Sequence, residues 1–214
     1  MKYELLSNNK VFLCGEIKTE AKFSHESFGE SFYEIMLSVK RLSEQDDLIP
    51  ITISDKLLTK DMTVGCKLAI KGQFRSYNKV EDGKSKLMLT VFVREVIEYN
   101  ETMNPNIIEI TGYICKEPTY RTTPFKREIC DVLIAVNRAY NKSDYLPCIA
   151  WGRNARFVKN LEIGKKVNLV GRIQSREYQK KLDDGTIITR TAYEVSINKI
   201  SDEEVEYAED EILS

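Results

Sequence analysis

Aromatic and basic side chains lie close together between residues 145 and 178, in a segment that contains the only tryptophan of the chain, Trp151. In a β-strand, alternate side chains share a face. The strand predicted over residues 165–178 has apolar odd positions, and its even positions end with Arg172, Gln174, Arg176 and Tyr178. Flat rings stack on bases and arginines contact phosphates, so this pattern is typical of a site for single-stranded nucleic acid. Taken singly, each aromatic residue could equally be an ordinary core or rim residue.

Short elements must position these side chains. We predict a strand over residues 145–151, a helix from Arg153 to about Leu161, and a second strand over residues 165–178. Gly152 and Gly164 separate the three elements, as expected of residues that break strands and end helices.

The composition excludes several classes of protein. The five cysteines are scattered and odd in number, with no CxxC pair, so we expect neither disulfides nor zinc. His25 is the only histidine, which leaves almost nothing for a catalytic triad. We therefore expect no catalytic residues, no metal and no cofactor. The sequence has no apolar run long enough for a bilayer and no signal-peptide pattern, so we expect a cytoplasmic protein without membrane contact.

The net charge of −1 conceals an uneven distribution. Residues 104–200 contain 17 Lys+Arg against 10 Asp+Glu, whereas residues 201–214 contain seven acidic residues and no basic one. A basic domain favours a polyanionic partner. An acidic tail stays solvated and either meets partner proteins or competes with the polyanion.

The two halves of the chain share one pattern. Gly15 and Gly112 are 97 positions apart, as are Pro50 and Pro147, while Gly72 and Gly171 are 99 apart. Such self-similarity indicates an internal duplication. Five strands with a helix between the third and fourth is the order of the OB-fold barrel. We predict an all-β chain with a first OB-fold at residues 1–100, a linker at 101–106, a second OB-fold at 107–200 and an acidic tail at 201–214.

The second half resembles the bacterial single-stranded-DNA-binding protein family, SSB. The resemblance covers about 95 residues and rests on the order and spacing of several fragments. The matching residues are 110–112 (ITG), 116–118 (KEP) with Arg121, 135–138 (AVNR), 148–155 (CIAWGRNA), Gly164 and 170–176 (VGRIQSR).

The resemblance implies which residues bind DNA. The family stacks bases on aromatic residues of the second to fourth strands and their loops, and basic residues lie nearby. The stacking residues implied here are Tyr140, Tyr145, Trp151 and Tyr178. The basic residues implied are Arg121, Arg138, Arg153, Arg172 and Arg176.

The first half departs from the family at each stacking position. The repeat aligns the four aromatic residues with Ser43, Leu48, Ser54 and Lys79. We therefore expect the first barrel to bind DNA weakly or not at all and to serve assembly or partner binding instead. The alternative is a different binding face made of Phe74, Tyr77 and Lys79.

The tail is a partial match to the acidic tip that recruits replication and repair proteins in the family. It ends with Glu209, Asp210, Glu211, Ile212 and Leu213, and it lacks the Pro-Phe ending. A solubilising tail or a short amphipathic helix is the competing interpretation. The family works as four barrels, so the resemblance implies a homodimer of two-barrel chains.

The sequence thus predicts sequence-independent binding and protection of single-stranded DNA in replication, recombination and repair, at the nucleoid. One alternative is a primosomal or recombination-mediator OB protein that acts mainly through protein contacts. A second is an OB-fold nuclease, which needs clustered carboxylates that the pattern does not provide. RNA is a further candidate ligand, because stacking surfaces alone do not distinguish it from DNA.

Overall fold

Strands make up most of the protein. Its computed structural model describes residues 8–41, 45–81, 83–181 and 185–202. The first half contributes six strands. They are β1 (Asn9–Ile17), β2 (Lys22–Ser27), β3 (Glu30–Val39), β4 (Asp47–Ser54), β5 (Lys67–Glu81) and β6 (Lys84–Ile97).

The second half repeats this order and adds two short helical elements. Its strands are β7 (Asn106–Ile114), β8 (Thr119–Thr122), β9 (Glu128–Arg138), β10 (Lys142–Trp151), β11 (Lys166–Lys181) and β12 (Ile187–Ser201). A 3-10 turn (Ala139–Asn141) joins β9 to β10, and helix α1 (Gly152–Val158) follows β10.

Each half closes into a barrel of the OB type. The strand order is β2-β3-β4-β6-β5-β1 in the first half and β7-β11-β12-β10-β9-β8 in the second. The second order is that of the equivalent strands of the first half read in reverse. Pairing of β1 with β3 and of β7 with β9 closes the two barrels. The pairs β4–β6 and β10–β12 are parallel, as the Greek-key order requires. The prediction of an all-β protein with tandem OB-folds is confirmed.

Two details of the predicted fold are wrong. Each barrel has a sixth strand, β2 or β8, which the sequence did not reveal because its side chains are mostly exposed and show no apolar alternation. The helix predicted between the third and fourth strands is found in the second half and not among the described residues of the first. There, residues 54–65 form single turns instead, such as the one closed by the Leu58 N–H on the Ser54 carbonyl. This segment is two residues shorter than its counterpart, residues 151–164, which leaves less length to offset the cost of nucleating a helix.

Alternating apolar residues fill the barrels. Phe74, Leu13 and Ile35 are fully buried in the first barrel, and Ile134 and Leu146 are fully buried in the second. The aligned glycines predicted from the repeat sit where neighbouring strands approach closely. A Cβ at Gly171 would lie 2.3 Å from the Ser196 carbonyl oxygen, and a Cβ at Gly72 would lie 2.4 Å from that of Phe92.

Strands β1 and β7 join the barrels into one twelve-stranded sheet. They pair antiparallel, with Val11 opposite Ile108 at the centre of the junction. On either side of this junction, a buried aspartate of one barrel binds a strand of the other. Asp47 accepts a hydrogen bond from the Ser175 N–H at 2.6 Å, and Asp144 accepts one from the Ser76 N–H at 2.7 Å. We call these contacts the Asp47 seam and the Asp144 seam.

Candidate nucleic-acid interface

Two of the predicted stacking residues lie on β10. Tyr145 and Trp151 are 46% and 38% exposed, whereas Leu146, Cys148 and Ala150 between them are buried in the core. This alternation follows directly from the period of a strand. Six residues at about 3.3 Å each place the two rings roughly 20 Å apart along the strand.

The other predicted strand residues lie on β11 and share a face with its partner β12. Arg176 is opposite Ala192, and Tyr178, which is exposed, is opposite Arg190. The guanidinium of Arg176 is 4.0 Å from the carboxylate of Glu194. This part of β11 extends beyond the barrel body as a hairpin with β12, because residues 176–181 are all exposed.

The pairing register unites the two rows into one surface. Ile149 of β10 is opposite Ser196 of β12, and Ser196 is opposite Arg172 of β11. Paired residues point to the same side of a sheet. The outward side chains of β10, β12 and β11 therefore form one face, which carries Tyr145, Trp151 and Tyr178.

Two further predicted residues, Arg121 and Arg153, lie around this face. Arg121 of β8 is opposite Ile129, which is opposite Trp151, so Arg121 lies two strands, or about 10 Å, from Trp151. Its guanidinium binds Asp131 at 2.8 Å, and this hydrogen bond raises the pKa of Arg121. Arg153 is exposed in the first turn of α1, directly after Trp151.

Tyr140 lies at the opposite end of β10, in the turn from β9. Its side chain is 79% exposed, and its φ of 62° lies in the left-handed region, as does the φ of 53° at Asn141. Residues other than glycine adopt this conformation at a cost. The turn therefore holds the Tyr140 ring away from the barrel core.

Arg138 and Arg172 have a different environment from the one predicted. Both are half-buried at the seams between the barrels. Arg138 binds Asp144 at 3.3 Å, and Arg172 binds Asp47 at 3.2 Å. The alternation of side chains within β9 and β11 does not identify the strands that carry Asp144 and Asp47. Arg172 and Asp47, for example, are 125 positions apart in the sequence.

Two basic residues of the first barrel, which the sequence pattern does not reveal, approach the Asp144 seam. Arg75 and Arg94 both lie over the ring of Phe92, with guanidinium carbons 3.9 and 5.0 Å from its centroid. Such contacts are cation–π interactions. The repeat offers a signal that could have located this seam: Asp47 and Asp144 are 97 apart, and Ser76 and Ser175 are 99 apart.

The first barrel lacks the aromatic row of the second. Ser54 is buried and donates a hydrogen bond to Glu30, and Lys79 is exposed on the β5–β6 hairpin. The alternative face of Phe74, Tyr77 and Lys79 is wrong in one member, because Phe74 is fully buried. Ser43 and the tail residues 209–213 lie outside the described residues.

Within the described ranges, no group of three or more His, Cys, Asp or Glu residues is arranged to hold a metal ion. No helix in that part of the chain is long and apolar enough to cross a bilayer.

Residues 105–202 match the model of the family described as "Single-strand binding protein family". A relative from Staphylococcus aureus, "Single-stranded DNA-binding protein 1", is 32% identical over 83 residues, which are 36% of this chain and 50% of the relative. "Single-stranded DNA-binding protein A" of Bacillus subtilis is 28% identical over 96 residues, or 42% of this chain and 56% of the relative. The chain spans about half the length of the curated relatives it matches. These relatives are named as DNA-binding proteins and not as enzymes.

A solved structure extends the likeness to both barrels. The wild-type single-stranded DNA binding protein from Thermus aquaticus superimposes with a TM-score of 0.68 over 94% of this chain and 95% of that chain. The sequence identity is 16%, so the likeness concerns the fold. Both barrels and their arrangement in tandem therefore have a precedent among known structures.

Proposed function

We propose that this chain, whose residues 105–202 match the model of the single-strand binding protein family, binds single-stranded DNA on the face formed by β10, β11 and β12. The observation that carries the proposal is the exposure of Tyr145, Trp151 and Tyr178 on that one face. Single exposed apolar residues are normal on a protein surface, whereas several that share one face mark a binding surface. The names of the relatives support DNA as that ligand.

Binding by this face would not depend on base sequence. Every base has a flat face, and stacking one on an aromatic side chain stabilises the complex by about 1–3 kcal/mol. Arg153, Arg176 and Arg121 would contact phosphates, and such contacts release counterions, so affinity would fall as salt rises. Unpaired bases are required, because a base inside a duplex already stacks on its neighbours.

The biological role that we propose is to hold transiently exposed strands unpaired and shielded during replication, recombination and repair. The protein would act in the cytoplasm at the nucleoid. The tail residues 209–213 would recruit replication or repair proteins, and two chains would assemble into a homodimer with four barrels. The family resemblance supports each of these proposals.

Trp151 provides the first test, because it is the only tryptophan and reports on its own surroundings. Titration with oligo-dT should quench its fluorescence. Raising the salt concentration should lower the affinity, so that half of the quenching occurs at a higher concentration of oligo-dT. Tyr178→Ala should lower the affinity by about 1–3 kcal/mol, or roughly 5- to 150-fold, because one stacked base is lost. Anisotropy of a labelled oligonucleotide measures this change independently of the tryptophan.

Phe23→Ala is the matched control. Phe23 is an exposed aromatic residue at 57%, but it lies on β2 of the first barrel. The Phe23→Ala variant should bind oligo-dT with the affinity of the unmodified protein. Tight binding that leaves Trp151 fluorescence unchanged would locate the site elsewhere. No binding at all would contradict the proposal and favour a role in protein contacts.

A further inference from the structure

The two seams between the barrels are related by the internal repeat, but their chemistry differs. In the Asp47 seam both carboxylate oxygens are engaged. Asp47 accepts hydrogen bonds from Arg41 Nε at 2.8 Å, from Arg172 at 3.2 Å and from the Ser175 N–H at 2.6 Å. The hydrogen bond to Asp47 raises the pKa of Arg41. This seam is a saturated structural contact.

The Asp144 seam is incomplete. One carboxylate oxygen of Asp144 accepts hydrogen bonds from the Ser76 N–H and from Arg138. The other oxygen is buried and has no hydrogen-bond partner within the described part of the chain. The Nε of Arg75 is also buried, and among the same residues it has no acceptor. A buried donor without an acceptor is uncommon in folded proteins and calls for an explanation.

Positive charge is in excess at this seam. Arg75, Arg94 and Arg138 lie near enough to influence one another's protonation. Two carboxylates face these three guanidinium groups: Asp144 favours the charged form of Arg75, and Glu30 favours that of Arg94. Burial, followed by the two neighbouring guanidinium groups, lowers the pKa of Arg75 to about 10. Burial raises the pKa of Asp144. An anion from outside the chain would relieve both the charge and the unpaired donor.

Aromatic side chains adjoin the seam on both barrels. On the second barrel, the Tyr145 N–H donates a hydrogen bond to the hydroxyl of Ser76, the residue after Arg75, at 2.8 Å. On the first barrel, Phe92 packs under Arg75 and Arg94 and contacts Phe32 at 5.4 Å between ring centroids. The guanidinium groups of Arg75 and Arg94 therefore cover an aromatic ring of the first barrel, and the residue after Arg75 contacts the backbone of Tyr145 on the second.

We propose that the Asp144 seam binds a backbone phosphate of the DNA strand as the strand passes from the second barrel onto the first. Arginine suits this ligand, since its planar fork matches the oxygens of a phosphate group. The proposal rests on the proposed function and adds a site in the barrel that lost its stacking row. It assigns the first barrel a limited part in binding, through Arg75 and Arg94, rather than none.

The test compares Arg94→Gln with Lys71→Gln. Arg94 is exposed, so its loss leaves the core intact, whereas Arg75 is partly buried and its replacement risks unfolding. Lys71 lies on β5 at 55% side-chain exposure and pairs with Glu95 at 3.8 Å. Both substitutions remove one positive charge from the first barrel, and only one of them touches the seam.

Each protein is titrated across a salt series with two lengths of oligo-dT. One has about 8 nucleotides, within the roughly 4–16 that a single OB-fold covers, and the other has about 30. Each phosphate contact on a single strand contributes about 0.7 to the slope of log affinity against log salt. Arg94→Gln should lower the slope for the long strand by about 0.7 and leave the slope for the short strand unchanged. Lys71→Gln should change neither.

Other results overturn the proposal in identifiable ways. An unchanged slope for Arg94→Gln with the long strand, or an equal change for Lys71→Gln, excludes a specific phosphate contact at the seam. Inorganic pyrophosphate serves as the second probe. If pyrophosphate stabilises the unmodified protein but not Arg94→Gln, and the salt slopes for DNA are the same in both proteins, then the seam binds free anions and not the DNA backbone. Failure of the proposed function is distinct, because the short strand would then not quench Trp151 in the unmodified protein.

Discussion

The environment of each cysteine sets the pKa of its thiol. Cys14, Cys130 and Cys148 are buried, and burial raises the pKa of each thiol, to about 11 for Cys130. Cys66 is half-buried at the start of β5, where a hydrogen bond with the Thr63 hydroxyl lowers the pKa of its thiol. The thiolate is the reactive form, so these shifts set the order of reaction.

We predict that a thiol reagent at neutral pH labels Cys66 before the other cysteines. Its rate should rise with pH as the thiolate forms, and the rise should begin at lower pH than for an ordinary thiol, because the pKa is lowered. Peptide mass mapping after brief labelling identifies the site. Cys66→Ser should remove the fast phase, and persistence of that phase would contradict the assignment.

Sequence alternation located Tyr145 and Trp151 correctly as outward residues, because that pattern depends only on the strand to which they belong. It could not locate the contacts of Arg138 and Arg172. Asp144, the partner of Arg138, lies on the neighbouring strand β10, and Asp47, the partner of Arg172, lies on β4 of the other barrel. The spacing within β9 or β11 reports on neither of these strands. The cluster of Arg75, Arg94 and Arg138 was not predictable either, because it combines residues from strands of both barrels.

At the scale of elements, the seams hold β4 against β11 and β10 against β5. Asp47 is fully buried, and removing it would leave the half-buried Arg41 and Arg172 without the carboxylate that they share. We predict that Asp47→Ala lowers the free energy of unfolding by about 3 kcal/mol, at the lower end of the cost of breaking a buried ion pair, because the guanidinium groups are partly exposed. Urea denaturation measures the change.

Glu95→Ala is the control for this prediction. Glu95 pairs with Lys71 on the surface, at 58% side-chain exposure, and exposed pairs contribute about 0–1 kcal/mol. Equal effects of the two substitutions would show that the Asp47 seam does not hold the barrels together.

The repeat made most elements predictable, since aligned glycines mark the same close approaches in each barrel. Strands β2 and β8 were not predictable by that route. Their side chains face solvent, so they leave no hydrophobic period, and the strands form because their partners β3 and β9 offer paired backbone groups. The wrong helix had a local cause: residues 54–65 are two residues shorter than their counterpart, residues 151–164.

At the scale of the molecule, the chain supplies two barrels, and the family resemblance implies four in the working assembly. We predict that sedimentation equilibrium at micromolar concentration gives twice the chain mass of 24.7 kDa. Two chains would then provide four barrels through a symmetric interface. A single species at the mass of one chain would contradict the homodimer.

The difference between the two seams has a consequence for orientation. Two identical barrels related by a two-fold axis present the same surface whichever way a strand is laid across them. Joining the barrels in one chain removed that constraint, and the Asp47 and Asp144 seams have since diverged. A nucleic-acid strand has chemically distinct 5′ and 3′ ends, and it meets here a surface that also has two distinct ends. We therefore expect the strand to lie across each chain in a single 5′-to-3′ direction.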